Sequence, residues 1–301
     1  MPWYDGPVVD AHHHLWKLGD NRYPWLERER RETMVFGATE PLARNYLIED
    51  YFDDIAGQNV IRSVHVEAGF DRSDPVAETR WLQSIADRHG WPHGAVAWAP
   101  LGEPDLPAIL RAHRQYPIVR GIRAVVSWHS DPAKRFSARA DLMQDPAWLA
   151  SVGAVRDLGL SLDLLVNGHQ LGDVHRLACA FPDLTIIVNH AGSPVDRDEA
   201  AMRRWQQGIS LLAEAPNVAM KISDLCAYDH AWSVDSYRPI VTGLIESFGV
   251  DRCMFASDFP VAKLHGSFRG HFDAFRMITS DLPLSCLSRL FCENAMKFYR
   301  L

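Results

Sequence analysis

Eight short apolar runs, rich in β-branched residues, recur along the chain and constrain its fold more than any other feature. Each run has the length and composition expected of a β-strand. We therefore predict one strand in each of the eight runs, which are residues 7–14, 63–69, 94–101, 119–126, 160–166, 185–192, 218–223 and 253–261.

The segments between these runs have helical periodicity and the residues that begin and end helices. Residues 73–90 place Pro75 where a first helical position is expected, and they end at Gly90. Residues 144–159 repeat this design with Asp145, Pro146 and a closing Gly159, and residues 235–249 also finish on a glycine. We predict a helix in each of these segments.

Strand followed by helix, repeated eight times, predicts an α/β protein with parallel strands, because parallel strands need crossover connections that are usually helical. Eight such units in 301 residues predict a closed (β/α)₈ TIM barrel, and we expect residues 1–301 to form a single barrel domain. The alternative is an open doubly wound sheet, but no glycine-rich phosphate-binding sequence follows the first run.

The net charge and the cysteines exclude several functional classes. A net charge of −7 argues against nucleic-acid binding, which needs clustered Lys and Arg. No apolar run approaches the roughly 18 residues of a membrane helix, and we expect no leader sequence. The five cysteines lack CxxC spacing, so we expect reduced thiols and a cytoplasmic protein. The sequence leaves a homo-oligomer open.

Two segments are too long to be simple connections between a strand and a helix. Residues 15–46 are rich in aromatic and charged side chains, and residues 127–143 follow the fourth predicted strand. Both are expected to lie over the C-terminal face of the barrel, where enzymes of this fold carry their chemistry. Trp16 and Trp25 in the first segment either line a substrate pocket or pack beneath a long loop.

The first predicted strand carries three consecutive histidines in the sequence VVDAHHHLW. Because side chains alternate along a strand, His12 and His14 should share a face, with Asp10 below them, while His13 points the other way. Two imidazoles on one face suit a divalent metal or the polarisation of a carbonyl. The alternative is a loop of solvated histidines.

Ionisable residues also lie at the ends of other predicted strands. Their number favours a functional site over side chains that are merely solvated. Six of the eight predicted strands carry one, and burial of an unpaired carboxylate there would be costly. Because these strand ends meet at one face of a barrel, the residues are expected to converge on one site. Besides the histidines of the first strand, they are Glu67, Arg123, His190, Lys221 and Asp258.

Three motifs carry a resemblance to a known family: DAHHH in the first run, NHAG in the sixth and ASDFP in the eighth. With YPWL, HVEA, VRGIR, MKIS and CENAMKFYRL, the chain resembles the amidohydrolase superfamily (amidohydrolase-related family 2). More narrowly, it resembles the branch with the sugar-lactone hydrolases and pyrone-dicarboxylate lactonase. The resemblance implies a TIM barrel of the metal-dependent-hydrolase type acting on a small molecule.

The resemblance also implies roles for individual residues. Asp258 would be the general base towards water, and His190 would contact the carbonyl or ring oxygen of the substrate. His12 and His14 would be metal ligands or would polarise the carbonyl directly. Arg123 would bind a substrate carboxylate or hydroxyl, for which its planar fork is suited. Lys221 and Glu67 would also bind substrate.

The expected metal content departs from that of the wider superfamily, whose metal-dependent members usually add a fifth-strand histidine or a modified fourth-strand lysine. Here Asn167 lies near the end of the fifth strand, with His169 beyond it, and the fourth strand carries Arg123. A binuclear site is therefore not expected. His12, His14 and Asp258, with Glu67 or His169, could hold one divalent cation, most simply Zn²⁺. Catalysis without a metal is also open.

The favoured function is hydrolysis of a small lactone from carbohydrate or aromatic catabolism, by direct attack of water on the carbonyl. A base, oxyanion donors and ring-binding groups are all available, whereas no GxSxG nucleophile is present. One alternative is metal-dependent, non-oxidative decarboxylation of an unsaturated or aromatic carboxylic acid. Another is a non-catalytic barrel that only binds a ligand.

Overall fold

The computed structural model describes residues 3–27 and 33–301. Eight parallel strands follow one another in chain order around a nearly closed barrel, which confirms the predicted TIM barrel. The strands are β1 (Val8–His13), β2 (Val60–Val66), β3 (Gly94–Trp98), β4 (Val119–Val125), β5 (Ser161–Leu165), β6 (Ile186–Val188), β7 (Val218–Ile222) and β8 (Cys253–Phe255).

A helix follows each strand and covers the outside of the barrel. These helices are α1 (Ile48–Ile55), α2 (Ala77–His89), α3 (Leu106–His113), α4 (Pro146–Asp157), α5 (Leu171–Ala180), α6 (Glu199–Ala213), α7 (Val234–Phe248) and α8 (Phe268–Ile278). The chain ends with α9 (Leu284–Ser288), a π-helical turn at Arg289–Glu293 and α10 (Asn294–Tyr299).

The structure confirms the predicted first residue of one helix, α4, and corrects that of another, α2. The carboxylate of Asp145 accepts the N–H groups of Ala147 and Trp148, and Pro146 is the first residue of α4, as predicted. Helix α2 begins only at Ala77, so the expected first position at Pro75 is wrong. There the chain forms a turn in which Asp74 accepts the N–H of Val76.

Hydrogen bonds beyond the ends of the last strand close the barrel against β1. The N–H of Asp258 donates to the carbonyl of His12 over 2.8 Å, and the N–H of His14 donates to the carbonyl of Phe259 over 2.7 Å. The closure therefore ties the histidine motif of β1 directly to the segment that carries Asp258.

The C-terminal helix fills the opposite end of the barrel. Val9, Val64 and Met254 line the interior, and Ala295 and Tyr299 of α10 pack against this layer. Tyr299 is fully buried. The interior is thus packed with side chains, as expected for an eight-stranded barrel, and the open end is the C-terminal face.

The side chain of Asp10 points out of the barrel, contrary to the prediction that it shares a face with His12 and His14. Its Oδ2 accepts a hydrogen bond from the hydroxyl of Tyr51 in α1 over 3.0 Å. The N–H of Ser257 donates to Oδ1 over 2.9 Å, and the Ser257 hydroxyl donates to Oδ2 over 2.7 Å. From outside the barrel, Asp10 therefore links β1 by hydrogen bonds to α1 and to the segment that follows β8.

An irregularity in the pairing of β1 with β2 explains this reversal. Asp10 pairs with Ser63 but His13 pairs with His65, so β1 has one more residue than β2 over this interval. Such a bulge breaks the period-two alternation of side chains. The ring of His13 stacks on Tyr51 at 4.1 Å between centroids, outside the barrel and away from the site, as predicted for this histidine.

The two long segments follow β1 and β4 and meet above the C-terminal face. The first contains a short antiparallel hairpin of Thr33–Met34 and Gly37–Ala38, while residues 28–32 lie outside the described part of the chain. Phe36 of this segment stacks on Phe136 of the second segment, with centroids 6.3 Å apart and planes 3° apart.

The structure also bears on the membrane and cysteine predictions. Within residues 3–27 and 33–301, no helix combines the length and the apolar character needed to cross a bilayer. All five cysteines are free thiols, and Cys179 is the exposed one among them.

Candidate active site

A cavity of about 880 Å³ opens at the C-terminal face of the barrel. Its floor is formed by ionisable side chains that project from the ends of several strands. These are His14, Glu67, Arg123, His190, Asp224 and Asp258. Five of the six were predicted from the sequence to converge, and the structure brings them together around one space.

One carboxylate oxygen lies at the centre of the histidines on the floor. Asp258 Oδ1 is 3.1 Å from Nε2 of His12, 3.1 Å from Nε2 of His14 and 3.8 Å from Nε2 of His190. All four side chains are buried. The convergence predicted from the strand ends therefore holds for the four candidate catalytic residues, whose roles remain predictions.

Two of these residues have left-handed backbone conformations beyond the ends of their strands. His190 has φ of 51° and Asp258 has φ of 63°, values that are uncommon for residues other than glycine. The predicted strands at 185–192 and 253–261 stop earlier, at Val188 and Phe255, so both left-handed residues lie beyond the strand ends. This turn directs both side chains towards the cavity, and backbone strain of this kind is often found at functional sites.

Burial and charge set the protonation states on the floor. Burial lowers the pKa of His12 well below 6.5, with a further contribution from the Lys221 cation, and burial lowers the pKa of His190 to about 3. Burial alone would raise the pKa of Asp258, but His190, His14 and Arg123 together hold it below 3.8. The floor thus presents the ionised carboxylate of Asp258 beside the neutral imidazoles of His12 and His190.

The hydrogen bonds of His14 add a constraint on what lies between it and Asp258. His14 Nδ1 is 2.7 Å from the carbonyl oxygen of Val66, which can only accept, so Nδ1 must donate. Its Nε2 then faces the carboxylate of Asp258 at 3.1 Å. That contact is favourable only if the ring carries a second proton, on Nε2, or if a cation lies beside both Nε2 and the carboxylate oxygen.

The same residues fit a divalent cation. Ligand atoms of His12, His190 and Asp258 all lie within 4.8 Å of one another. His12 Nε2 is buried and has no hydrogen-bond partner among the described residues, which is a costly state for a polar atom without a ligand. The predicted set was His12, His14 and Asp258, whereas the group that satisfies this distance in the structure contains His190 in place of His14.

The two further metal ligands considered from the sequence, His169 and Glu67, lie in different places relative to the cavity. His169 is exposed, and its ring packs against Trp128 and His129 outside the cavity, so its consideration as a metal ligand was wrong. Glu67 lines the cavity, where its Oε2 accepts the N–H of Gly69 over 2.9 Å.

Arg123 lies between Glu67 and His190 on the cavity wall. One terminal nitrogen is 3.4 Å from Glu67 Oε1, and the other is 3.5 Å from His190 Nε2. Its Nε has no partner among the described residues. The guanidinium therefore stands beside the candidate reaction centre with donor capacity left over, while Glu67 already balances its charge.

Lys221 lies one layer deeper than the cavity and is fully buried. Its Nζ is 2.9 Å from Asp163 Oδ2 and 3.4 Å from His12 Nδ1. Asp163 Oδ2 also accepts the hydroxyl of Tyr299 over 2.7 Å and the amide of Asn189 over 3.0 Å. Lys221 therefore contacts the underside of His12 and does not line the cavity, although its predicted role was to bind substrate.

Asp224 is a site residue that the sequence reasoning missed. It follows β7, lines the cavity and has φ of 49°. Burial and the adjacent charge of Asp258 raise the pKa of its carboxyl well above 3.8. The signal was present in the sequence, because Asp224 lies one residue beyond the predicted strand at 218–223 and is an acidic residue at a strand end.

Relatives of this chain are known both as sequences and as solved structures. An uncharacterised protein of Sinorhizobium fredii is 41% identical, over 98% of this chain and 99% of its own length. An L-fucono-1,5-lactonase of Burkholderia ambifaria is 28% identical, over 97% of this chain and 95% of its own. The crystal structure of an amidohydrolase of Burkholderia multivorans with bound zinc is 25% identical, with a TM-score of 0.82 over 98% of this chain and all of that chain.

The family assignment rests on nearly the whole chain. A family model described as Amidohydrolase matches residues 9–301, a range that includes every residue of the cavity floor. The match agrees with the resemblance carried by the motifs of β1, β6 and β8 and with the barrel that these strands form. The chain belongs to the amidohydrolase family.

Proposed function

We propose that this amidohydrolase opens a small lactone by adding water to its carbonyl group. The observation that carries the proposal is the ionised carboxylate of Asp258 at the base of an open cavity, with its Oδ1 3.1 Å from two imidazole nitrogens. A carboxylate with a lowered pKa in a ring of polar donors is suited to accept a proton from water. The lactonase among the relatives supports the same reaction.

Three residues of the floor have parts in the proposed reaction. Asp258 accepts a proton as the water oxygen bonds to the carbonyl carbon. Arg123 and His14 donate to the oxygen that becomes negative, which is where preorganised donors contribute most. The ring C–O bond then breaks, and the proton held by Asp258 passes to the leaving ring oxygen. The product is a hydroxy acid.

A divalent cation fits this scheme at His12, His190 and Asp258, whose ligand atoms lie within 4.8 Å of one another. Bound there, a zinc ion would supply Lewis acidity and lower the pKa of water. Lys221 Nζ lies 3.4 Å from His12 Nδ1 on the underside of the ring, and His12 Nε2 lies 3.1 Å from Asp258 Oδ1. The protein thus orients this imidazole whether or not an ion is needed.

The test is proton release from a panel of lactones by the wild-type protein and by Asp258→Asn. We expect the substitution to lower kcat by about 10²–10⁴-fold, the usual contribution of a general base, without lowering the unfolding temperature. Asp235→Asn is the matched control, because the side chain of Asp235 is 95% exposed and does not line the cavity. Unchanged kcat in a folded Asp258→Asn protein would contradict the assignment of the base.

The same panel separates this proposal from the two alternatives. Decarboxylation would release carbon dioxide from an aromatic or unsaturated carboxylic acid, with no acid produced from any lactone. A barrel that only binds would turn over neither class of compound and would still bind a metabolite. Either result would replace hydrolysis as the function.

A further inference from the structure

The upper wall of the active-site cavity differs from its floor, because apolar side chains dominate it. These side chains come from both long segments and from several strand ends. They are Pro24, Trp25, Met34, Val35, Phe36, Phe70, Val125, Phe136, Leu165, Ala227, Tyr228 and Val261. A wall of this composition binds hydrocarbon surface and offers little to a hydroxyl group.

Polar atoms on this wall are mostly bonded already to the protein. The indole N–H of Trp25 donates to the carbonyl of Ala68 over 2.7 Å, so only the faces of the ring remain for a ligand. The hydroxyl of Tyr228 donates to Ser193 Oγ over 2.9 Å. Thr39 Oγ1 is buried without a partner among the described residues, and it is the wall's hydroxyl with donor capacity left.

Of the charged groups above the floor, Asp71 is already hydrogen-bonded, and Arg72 is exposed with a ring contact only. Asp71 Oδ2 accepts from Arg22 over 2.9 Å, and Asp71 Oδ1 accepts the N–H of Ser73 over 3.0 Å. The guanidinium of Arg72 lies over the ring of Trp98, 4.5 Å from its centroid.

The cavity lining holds two arginines, Arg72 and Arg123, and four carboxyl side chains, so a substrate carboxylate would meet no excess of arginines over carboxyls there. Arg123 is balanced by Glu67, which lies 3.4 Å away, and the ionised Asp258 stands on the same floor. A second anionic group on the substrate would therefore meet carboxylates as well as cations, and like charges at short range repel each other.

The apolar wall closes over the floor where the two long segments touch. Phe36 and Phe136 stack at 6.3 Å with nearly parallel planes, and Trp25 contacts Phe36 edge to face at 6.2 Å. Phe136 is 39% exposed, so part of its ring lies at the mouth of the cavity. These three rings, Trp25, Phe36 and Phe136, are referred to below as the aromatic cluster.

From these contacts we infer that the substrate is an uncharged lactone carrying one apolar substituent, an aromatic ring or an alkyl chain, that packs against the aromatic cluster. The inference rests on the proposed lactone hydrolysis and adds the substrate class. A polyhydroxylated sugar lactone would bury several hydroxyls against a wall with few free partners, which is unfavourable. A lactone dicarboxylate would lack compensating cations.

The experiment compares kcat/KM for four probes: δ-valerolactone, δ-phenyl-δ-valerolactone, gluconolactone and a δ-valerolactone that carries a carboxylate. We expect the phenyl compound to exceed the parent ring by at least about ten-fold, equivalent to about 1.4 kcal/mol of transition-state binding. Gluconolactone and the carboxylate are expected to fall below the parent ring.

A substitution in the aromatic cluster tests whether this cluster causes the preference for the phenyl compound. Phe136→Ala should lower the ratio of phenyl to parent kcat/KM by about five-fold or more, chiefly through KM, since burial of an aromatic ring contributes much binding. Trp3→Ala is the control, because Trp3 is an exposed aromatic residue outside the cavity lining. It should leave the ratio unchanged.

The outcomes distinguish the substrate class from the reaction. Hydrolysis of the parent ring together with a preference for gluconolactone or for the carboxylate would overturn the substrate class and leave lactone hydrolysis standing. An unchanged ratio in Phe136→Ala would also overturn it. If no lactone is hydrolysed, the proposed function fails, and the inference fails with it.

Discussion

Nε2 of His14 lies 3.1 Å from Oδ1 of Asp258, although the other nitrogen of the same imidazole already donates to the carbonyl of Val66. A neutral ring with its proton on Nδ1 would place a lone pair against a carboxylate. The contact therefore requires a positive charge, either on the imidazole or on a cation bound beside it. A measurement of metal binding distinguishes the two sources of this charge.

We expect the protein to bind one zinc ion per chain, through His12, His190 and Asp258. His12→Gln should weaken zinc binding by at least about ten-fold, because three protein ligands are the usual minimum for such a site. Affinity should be the same at about pH 7 and about pH 5, because burial holds the pKa values of His12 and His190 well below 6.5 and protons therefore do not compete with zinc in this range. Titration calorimetry on chelator-treated protein measures both.

The matched control is His89→Gln, since His89 lies on α2 and its nearest acidic partner is Glu49 at 4.0 Å. Zinc binding by His12→Gln equal to that of the wild type would remove these residues as ligands. In that case the charge between His14 and Asp258 would be a proton.

Asp224 is expected to act as an uncharged group at neutral pH, since burial and the Asp258 carboxylate raise the pKa of its carboxyl. Asp224→Asn should therefore keep kcat/KM within about three-fold, because asparagine is also neutral and tolerates the left-handed backbone at this position. Asp224→Ala removes the neighbouring polar group and should move the acidic limb of the pH profile to higher pH.

The pH dependence of kcat/KM for the wild type and both variants checks this. Loss of activity in Asp224→Asn, with the fold retained, would mean that Asp224 works as a charged group or carries a proton in the reaction.

The ion pair inside the barrel predicts an order of stabilities. Lys221→Met should lower the free energy of unfolding by about 3–5 kcal/mol, because it leaves the buried carboxylate of Asp163 unpaired. Tyr299→Phe should cost about 2 kcal/mol, since it removes one hydrogen bond to a charged acceptor. Urea denaturation measures both values.

Lys297→Met serves as the control for the Lys221 substitution. Lys297 is an exposed lysine on α10, and its replacement should change the free energy of unfolding by less than about 0.5 kcal/mol. Equal stability of Lys221→Met and the wild type would show that the buried pair contributes nothing net.

Buried histidines should make the protein less stable in mild acid. Burial lowers the pKa of His13 and His190 to about 3 and that of His271 to about 4, whereas the ordinary value is 6.5. Between these values the unfolded chain binds more protons than the folded chain, so the free energy of unfolding falls as pH falls.

Buried carboxyls oppose this trend but are fewer. Burial raises the pKa of Asp10 to about 6 and that of Glu78 well above 4.5, so the folded state holds protons there that the unfolded state has lost. Their contribution to stability grows as pH falls. The pKa values of eight histidines are lowered, namely those of His12, His13, His65, His93, His113, His169, His190 and His271.

We therefore expect the free energy of unfolding to be lower at about pH 5 than at about pH 7, by at least about 2 kcal/mol. Urea denaturation at the two pH values provides the comparison. An equal or higher value at the lower pH would show that the carboxyls outweigh the histidines.

Much of the site could be read from the sequence because a parallel barrel brings the C-terminal ends of its strands to one face. The eight apolar runs predicted the strands, and an ionisable residue at a strand end was therefore expected near the others. His14, Glu67, Arg123, His190 and Asp258 meet in the cavity for this reason.

Other features depended on contacts between distant parts of the chain. A one-residue bulge in β1 turned Asp10 outwards, and period-two alternation cannot anticipate a bulge. The depth of Lys221 was set by Asp163 on a neighbouring part of the barrel and by Tyr299 at the far end of the chain. Sequence position places a residue on a strand, but only packing decides how far its side chain lies from solvent.

The sequence by itself determined the barrel, the family and the residues that converge on its open face, since these follow from local periodicity and from motifs at strand ends. The tertiary structure decided what surrounds them. Asp224 became a site residue because the chain turns left-handed after β7, and the apolar upper wall formed because Phe36 and Phe136 meet from segments a hundred residues apart. Loop contacts of this kind depend on long-range packing, which has no periodic signature in the sequence.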